Sequence, residues 1–457
     1  MGYLKLYILD LKTHRAIFIL FALLLGRVGV GFSQDYVRLG ERDLVGTARY
    51  VGMGGAMTAI GGDPSAVRDN PAGLGLYRRT EVTLTGDMSF DRTIQIYGSE
   101  PALRTNYFTF PQAAVVISVG NPLQDQGLIY NNIMFSYHRL RSFARGYRAS
   151  ATDQPSLSSL IASLPDLNLG MPIPDERNAL VNAFRLDERG TVNEYTLDWA
   201  MNISHHWYIG LGLRMQSYTL TADAVYQEEF ATTNTNGTPY ALRNTTSLLY
   251  SGVGWNAAFG LIWRPCRWWR MGVSIETPTL GGLNTRTAGT LYAKTDSLRS
   301  SQAPEKANYD RRFHEPMRLS TGMAAQLATI AFISLQYDYA HGISATDVHS
   351  MSAGVELVPI PGMCINAGYA YEWNTNSRAV PIDPTFDRQD AYYFNFNRTQ
   401  YASVGLGYRG QHIIVQAAYQ YRWQRLNIHA HEAADPYRMH ADTHRIVLTL
   451  GWHRPWP

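Results

Sequence analysis

The chain has 457 residues, two cysteines, a formal net charge of +3 and a mean hydropathy of −0.21; 45% of residues are hydrophobic, 12% aromatic and only 17% charged. That is too little charge for an ordinary soluble chain and too hydrophilic an average for a helical membrane protein. Two cysteines exclude a disulfide scaffold or cysteine-built zinc module, and the small net charge gives no electrostatic case for nucleic acid.

The first residues read as a secretory signal, with no other stretch like a transmembrane helix. Lys5, Lys12 and Arg15 form a basic region and Ala16 to Leu25 an apolar core. Gly31-Phe32-Ser33 supplies the small-x-small cleavage pattern, so residues 1–33 are expected to be removed near Gln34. The core is too short to span about 30 Å of hydrocarbon.

Residues 34–80 come next and are not strand-like. Gly52, Gly54, Gly55, Gly61 and Gly62 permit tight turns. Gly52-Met53-Gly54-Gly55 is not a phosphate loop, because no strand precedes it and no Gly-Lys-Ser follows.

From Glu81 apolar residues alternate with polar or small ones. Tyr195, Leu197, Trp199, Met201 and Ile203 interleave with Glu194, Thr196, Asp198, Ala200 and Asn202. Successive strand side chains point to opposite faces, so each such segment has an apolar and a polar wall. The segments run about ten residues or more, the length a tilted strand needs to cross a bilayer. Fourteen strands are expected at 81–91, 106–119, 127–142, 191–204, 207–226, 245–264, 268–278, 316–327, 330–341, 347–358, 362–373, 399–409, 412–427 and 443–452. Short links alternate with long ones near 92–106, 143–190, 227–244, 279–315, 375–397 and 429–440, as in outer-membrane barrels. Thr285–Ala293 is a weaker strand-like segment that breaks the parity and is assigned to the long loop before the eighth strand. Trp207, Trp255, Trp263, Tyr371, Trp373, Trp423 and Trp452 lie at the ends of the apolar faces, as interfacial girdles do. The expected fold is all-β: an antiparallel transmembrane barrel over 81–457 with a short N-terminal hatch at 34–80 inside it.

Within the barrel, Pro111 cannot donate to a ladder and marks either a bulge or kink or a strand that begins after it. The external loop 143–190 suggests two amphipathic helices after Pro155 and Pro174. Leu157, Leu160, Ile161 and Leu164 would lie on the first, with Leu180, Ala183 and Phe184 on the second. Their apolar faces would form a ligand-collecting groove, pack on each other or cap the barrel mouth. Glu194, Asp198, Arg214, Arg270, Glu276, Asp338, Glu356, Glu372, Arg422 and Arg445 are expected to point inward, opposite signs pairing with one another or with the hatch. His429, His431, His440 and His444 gather near the last external loop, where His429 and His431 are weak candidates for metal or haem iron beside the plainer reading of solvated loop residues. No cofactor is expected. His138, His349 and His444 occur singly, with no converging Ser-His-Asp set, so no catalytic residue is assigned. Cys266 and Cys364 lie about five strands apart and should stay unbridged.

The N-terminal segment resembles the start of the FadL/TodX family of outer-membrane hydrophobic-compound transporters. The matching residues are Ala48-Arg49-Tyr50, Gly52-Met53-Gly54-Gly55-Ala56, Asp63-Pro64-Ser65-Ala66 and Asn70-Pro71-Ala72-Gly73-Leu74. The resemblance implies a fourteen-stranded barrel plugged by this segment. It also implies passive uptake of long-chain fatty acids or similar compounds, bound in an external groove and released sideways through a gap in the wall. The partners would be outer-membrane lipid and a hydrophobic ligand. A related branch, the type IX secretion shuttle protein, shares hatch and barrel and would bind secretion-system proteins. Some members are labelled haemin receptors.

Overall fold

The computed structural model describes residues 39–454 except 97, 99, 122, 124, 158–177, 234–236, 238, 295–298, 303–306, 316, 328–329, 342–346, 375–392 and 431–434. The signal segment therefore lies outside the described residues. Two short helices, α1 (Ala48–Gly52) and α2 (Pro64–Asp69), and a 3-10 turn (Pro71–Leu76) precede the strands. The strands are β1 (Glu81–Gln95), β2 (Leu103–Gly120), β3 (Leu128–Ser142), β4 (Arg145–Pro155), β5 (Asn178–Ile203), β6 (Trp207–Thr233), β7 (Pro239–Cys266), β8 (Trp269–Glu276) and β9 (Leu280–Lys294). They continue with β10 (Arg299–Gln302), β11 (Ala307–His314), β12 (Met317–Leu327), β13 (Ala331–His341), β14 (Val348–Leu357), β15 (Met363–Asn374), β16 (Tyr393–Arg409), β17 (Ile413–His429) and β18 (Tyr437–His453).

These segments close into a fourteen-strand antiparallel barrel. β3 and β4 are two parts of one wall strand, since both pair with β5. β8 and β9 both pair with β7, and β12 and β11 pair with β8 and β9 in turn. β10 pairs antiparallel with the end of β9, from Arg299↔Lys294 to Gln302↔Leu291. The ring closes where β1 pairs with β18 from Glu81↔His453 to Gln95↔Met439. Closure leaves no free sheet edge, the condition for strands to sit in hydrocarbon.

Burial is inverted relative to a soluble protein. On β1, Thr83, Thr85, Asp87 and Ser89 are buried while Leu84 is 50% exposed. On β5, Glu194, Thr196 and Asp198 are buried while Tyr195, Leu197 and Trp199 are exposed. The same holds around the ring, through Leu213, Phe259, Leu335, Val404 and Leu448. The outward apolar belt is a surface that only lipid would cover favourably. Trp207 and Trp263 stack at one rim of it, with ring centroids 5.7 Å apart.

Three expectations change. Thr285–Ala293 is not loop: it belongs to β9 and pairs with β7 over 241–255. Parity survives because β9 prolongs β8 past Thr277–Thr279 and adds no wall crossing. The segments 143–190 and 227–244 are largely strand, as β4, β5, β6 and β7 continue well past the apolar belt. Above the belt no lipid enforces alternation, so the pattern fades while the backbone ladder continues. The helix expected to carry Leu180, Ala183 and Phe184 does not form, because 181–188 is paired on both sides, with β4 and β6. Ladder pairing overrides helical spacing there.

The link between β5 and β6 is a short turn. Ser204 and His205 both have positive φ (53° and 56°), the backbone of a tight hairpin between β5 and β6. Cys266 and Cys364 are free.

Candidate functional site: a step in the barrel wall beside the N-terminal segment

The N-terminal segment folds by local capping. Thr47 caps α1 by accepting from Tyr50 N–H, and Asp63 caps α2 by accepting from Ser65 N–H at 2.9 Å. The Asp63 carboxylate also accepts the Thr47 hydroxyl proton at 2.7 and 2.8 Å, which ties the two caps together. Burial pushes the Asp63 carboxyl above its ordinary range despite Arg49 and these donors. Asn70 caps the 3-10 turn through Ala72 N–H (3.1 Å), and its amide donates to Thr58 O at 2.8 Å. Pro71 at the first turn position needs no partner for a missing N–H.

The segment lies against the inward face of the barrel, and glycines make room for it. A Cβ at Gly210 of β6 would fall 2.3 Å from the Pro71 carbonyl carbon, and one at Gly260 of β7 would fall 2.0 Å from Asn70 Oδ1. Across the lumen, a Cβ at Gly368 of β15 would sit 2.1 Å from Gly54 N. Gly54 itself has φ +63°, a conformation that favours glycine. Gly52 meets Gly405 of β16, and Gly73 meets Gly61 within the segment. The residues singled out in the sequence (Gly52, Gly54, Gly55, Asn70, Pro71, Ala72 and Gly73) are thus caps, turns and close approaches. The barrel glycines that receive them carried no separate sequence signal, since alternating strands already tolerate small residues on a polar face.

Charges complete the docking. Arg49 grips Glu356 of β14 with two bonds, 2.6 and 2.8 Å. Arg42 pairs with Glu276 of β8, Arg68 with Glu194 of β5 (3.3 Å), Glu41 with Arg141 of β3, and Asp43 with Arg422 of β17 (2.7 Å). Arg214 pairs with Glu276 and Arg445 with Asp87. Most of the expected inward charges therefore pair with the segment or with each other. Burial alone would raise Asp43, but Arg422 with Arg145, Arg141 and Arg445 holds it at about 2.

The wall is stepped beside this docked segment. β1 and β2 shift register between Thr85 and Asp87, opposite Phe110 and Pro111. β2 thus runs through Pro111 with a bulge and does not begin after it. The ladder between β2 and β3 starts at Gly120↔Tyr130 and stops at Gln112↔His138. Beyond that point, among the described residues, Leu103–Pro111 pairs with β1 alone. β4 instead turns inward: Thr93 of β1 donates to Gly146 O at 2.8 Å, and the Gln95 amide bonds Ser150 N and O at 2.8 Å each. Phe108 and Phe110 lie exposed on this part of β2 that β3 does not flank and meet edge-to-face at 5.0 Å.

The other candidates distribute as follows. Leu157 is buried, its N–H donating to Glu228. Leu160, Ile161 and Leu164 lie outside the described residues. Leu180 is 55% exposed whereas Phe184 is buried and stacks on Tyr437, so the two share no groove surface. His431 is outside the described residues; His429 ends β17, His440 pairs with Asp442, and His444 bonds Tyr419. No group of three or more metal-ligating side chains forms among the described residues. Ser136 and His138 meet at 2.8 Å, but Asp198 reaches them through Thr196 and Ser136, on the wrong side of the histidine for a nucleophile–base–acid relay.

No protein-family model matches the chain, and no curated protein matches it in sequence. Solved structures do resemble it. A FadL homologue from Pseudomonas aeruginosa aligns with a TM-score of 0.57 at 13% identity, over 92% of this chain and all of that one (100%). The Pseudomonas putida toluene transporter TodX gives 0.55 at 13%, over 91% and 99%. The Ralstonia pickettii toluene transporter TbuX gives 0.52 at 12%, also over 91% and 99%. Over that share of its length the chain has the fold of these channels.

Proposed function

We propose that this chain, built on the fold of the FadL and TodX channels, belongs with them in function. It would be an outer-membrane channel for passive uptake of hydrophobic small molecules such as long-chain fatty acids or similar compounds. The observation that carries the reading is the step in the wall. The β2–β3 ladder ends at Gln112–His138, and an apolar stretch containing Phe108 and Phe110 borders the end. A closed barrel hides its backbone from lipid everywhere, so an interrupted ladder inside the belt is a feature to be explained. Lateral release of a greasy ligand into the membrane explains it, since such a ligand gains nothing by entering water. Residues 39–80 would act as the plug that forces ligand toward the wall. Transport of this kind needs neither cofactor nor catalytic group, in keeping with neighbours that are channels rather than enzymes.

The test is uptake of a radiolabelled long-chain fatty acid and of toluene by cells whose own channel of this type is deleted. Expression of the native chain should restore uptake of at least one. Pro111→Val, which supplies the missing N–H, should lower it several-fold while the barrel still folds. Restoration by the variant equal to that of the native chain would remove the lateral route. Failure of the native chain on both compounds would remove the hydrophobic-channel reading.

A further inference from the structure

At the short-turn end, away from the step, a cavity of about 730 Å³ opens between the N-terminal segment and the barrel wall. Its lining includes six arginines (Arg49, Arg78, Arg79, Arg264, Arg270 and Arg409) against one carboxylate, Glu81. They come from distant places in the chain: the segment, its exit into β1, the end of β7, the start of β8 and the end of β16. Only the closed ring brings them together.

Arg49 is held by Glu356, and Arg409 lies 3.4 Å from Glu81. Arg79 bonds His453 at 3.3 Å. Arg264 donates to the Arg267 carbonyl at 3.2 Å, and its Nε is buried without a partner. Arg270 donates to Ile60 O at 3.2 Å and lies 5.8 Å from the Phe332 ring centroid. Among the described residues no carboxylate reaches Arg264 or Arg270. Elsewhere in the lumen Arg42, Arg68, Arg141, Arg145, Arg214, Arg422 and Arg445 each have one, while Arg318 donates to the Gly40 carbonyl.

Buried charge of one sign is costly unless an opposite charge meets it, and guanidinium forks match oxyanions in shape as well as sign. We infer that this cavity is an oxyanion-binding site, with Arg264 and Arg270 as its principal ligands and Tyr208 and Asn202 on its wall. The occupant carries a phosphate or similar oxyanion, either free in solution or as the headgroup of an acidic lipid. The site is separate from the wall step and does not depend on what passes there.

The experiment uses the full mature protein refolded in neutral detergent, with inorganic pyrophosphate as the free probe followed by calorimetry. In parallel, nanodiscs containing phosphatidylglycerol or phosphatidylcholine are analysed by native mass spectrometry. Saturable pyrophosphate binding that weakens at least tenfold in R264Q/R270Q and not in R185Q assigns the site to free oxyanions. Phosphatidylglycerol retained by the native chain and lost from the double variant assigns it to a lipid headgroup. Heat-modifiable migration checks folding. If the double variant fails to fold, R270K keeps the charge but loses the fork and should still weaken binding severalfold. Saturable binding of neither probe, or equal binding by native and variant proteins, overturns the inference.

Discussion

The backbone N–H of Asp43 donates to the Leu140 carbonyl at 2.9 Å, two residues past His138, where β3 parts from β2. One end of the docked segment is therefore pinned to β3 just where it parts from β2. The same Asp43 carboxylate pairs with Arg422 across the lumen, so segment and step share an anchor.

That anchor should be acid-sensitive in one direction. Asp43 is held at about 2, below the roughly 3.9 of a free aspartate. Its ion pairing stabilises the docked segment fully above about pH 4 and is lost as pH falls through about 2, a contribution on the order of 2 kcal/mol. Asp63, raised by burial, responds in the opposite sense, so the comparison needed is native against Asp43→Asn. Trypsin resistance of the segment after brief acid exposure should decline below pH 4 in the native protein and be weaker but flatter in the variant.

Glu356→Gln removes the charge that Arg49 grips with two bonds. Truncating one partner of a buried pair typically costs about 3–5 kcal/mol, because the other is left unpaired. Here part of that cost can be relieved by undocking the segment. Planar-bilayer recordings should show more frequent openings to small ions than the native channel, and Arg49→Met with Glu356→Gln should partly restore closure.

Gly368→Val places a side chain where Gly54 N already lies, 2.1 Å from an ideal Cβ. The outward face of β15 is untouched, so the barrel should keep its heat-modifiable migration. The segment should become accessible to protease at Arg49 and Arg68. Unchanged protection would mean that the close approach is dispensable.

Leu213→Arg puts a cation in the apolar belt, where Leu213 is 52% exposed. Near a bilayer midplane this costs about 2–4 kcal/mol. Folding into lipid vesicles, followed by urea titration, should show the loss. Detergent with flexible headgroups should blunt it.

The alternation of Glu194 to Ile203 and its counterparts was enough to read the wall strands in order, because a lipid face and a lumen face impose a two-residue period. The same pattern put Thr285–Ala293 outside the count: the period says that a stretch is strand, but not that it prolongs an earlier one. Above the belt the lipid constraint ends, so the outer half of β5 and the outer ends of β6 and β7 looked like loop, and Leu180 and Phe184 like helix. Pro111 announced a defect without saying of which kind.

What the sequence by itself determined about this protein is therefore local: the strand period, and tight turns at glycines such as Gly54. Each depends on neighbours a few residues apart. The tertiary structure alone decided the step between β2 and β3, the glycine seats at Gly210, Gly260 and Gly368, and the meeting of Arg264 with Arg270 and Arg409. Those depend on which strand lies beside which and on what fills the lumen. Ring closure sets both between residues as far apart as Glu81 and His453.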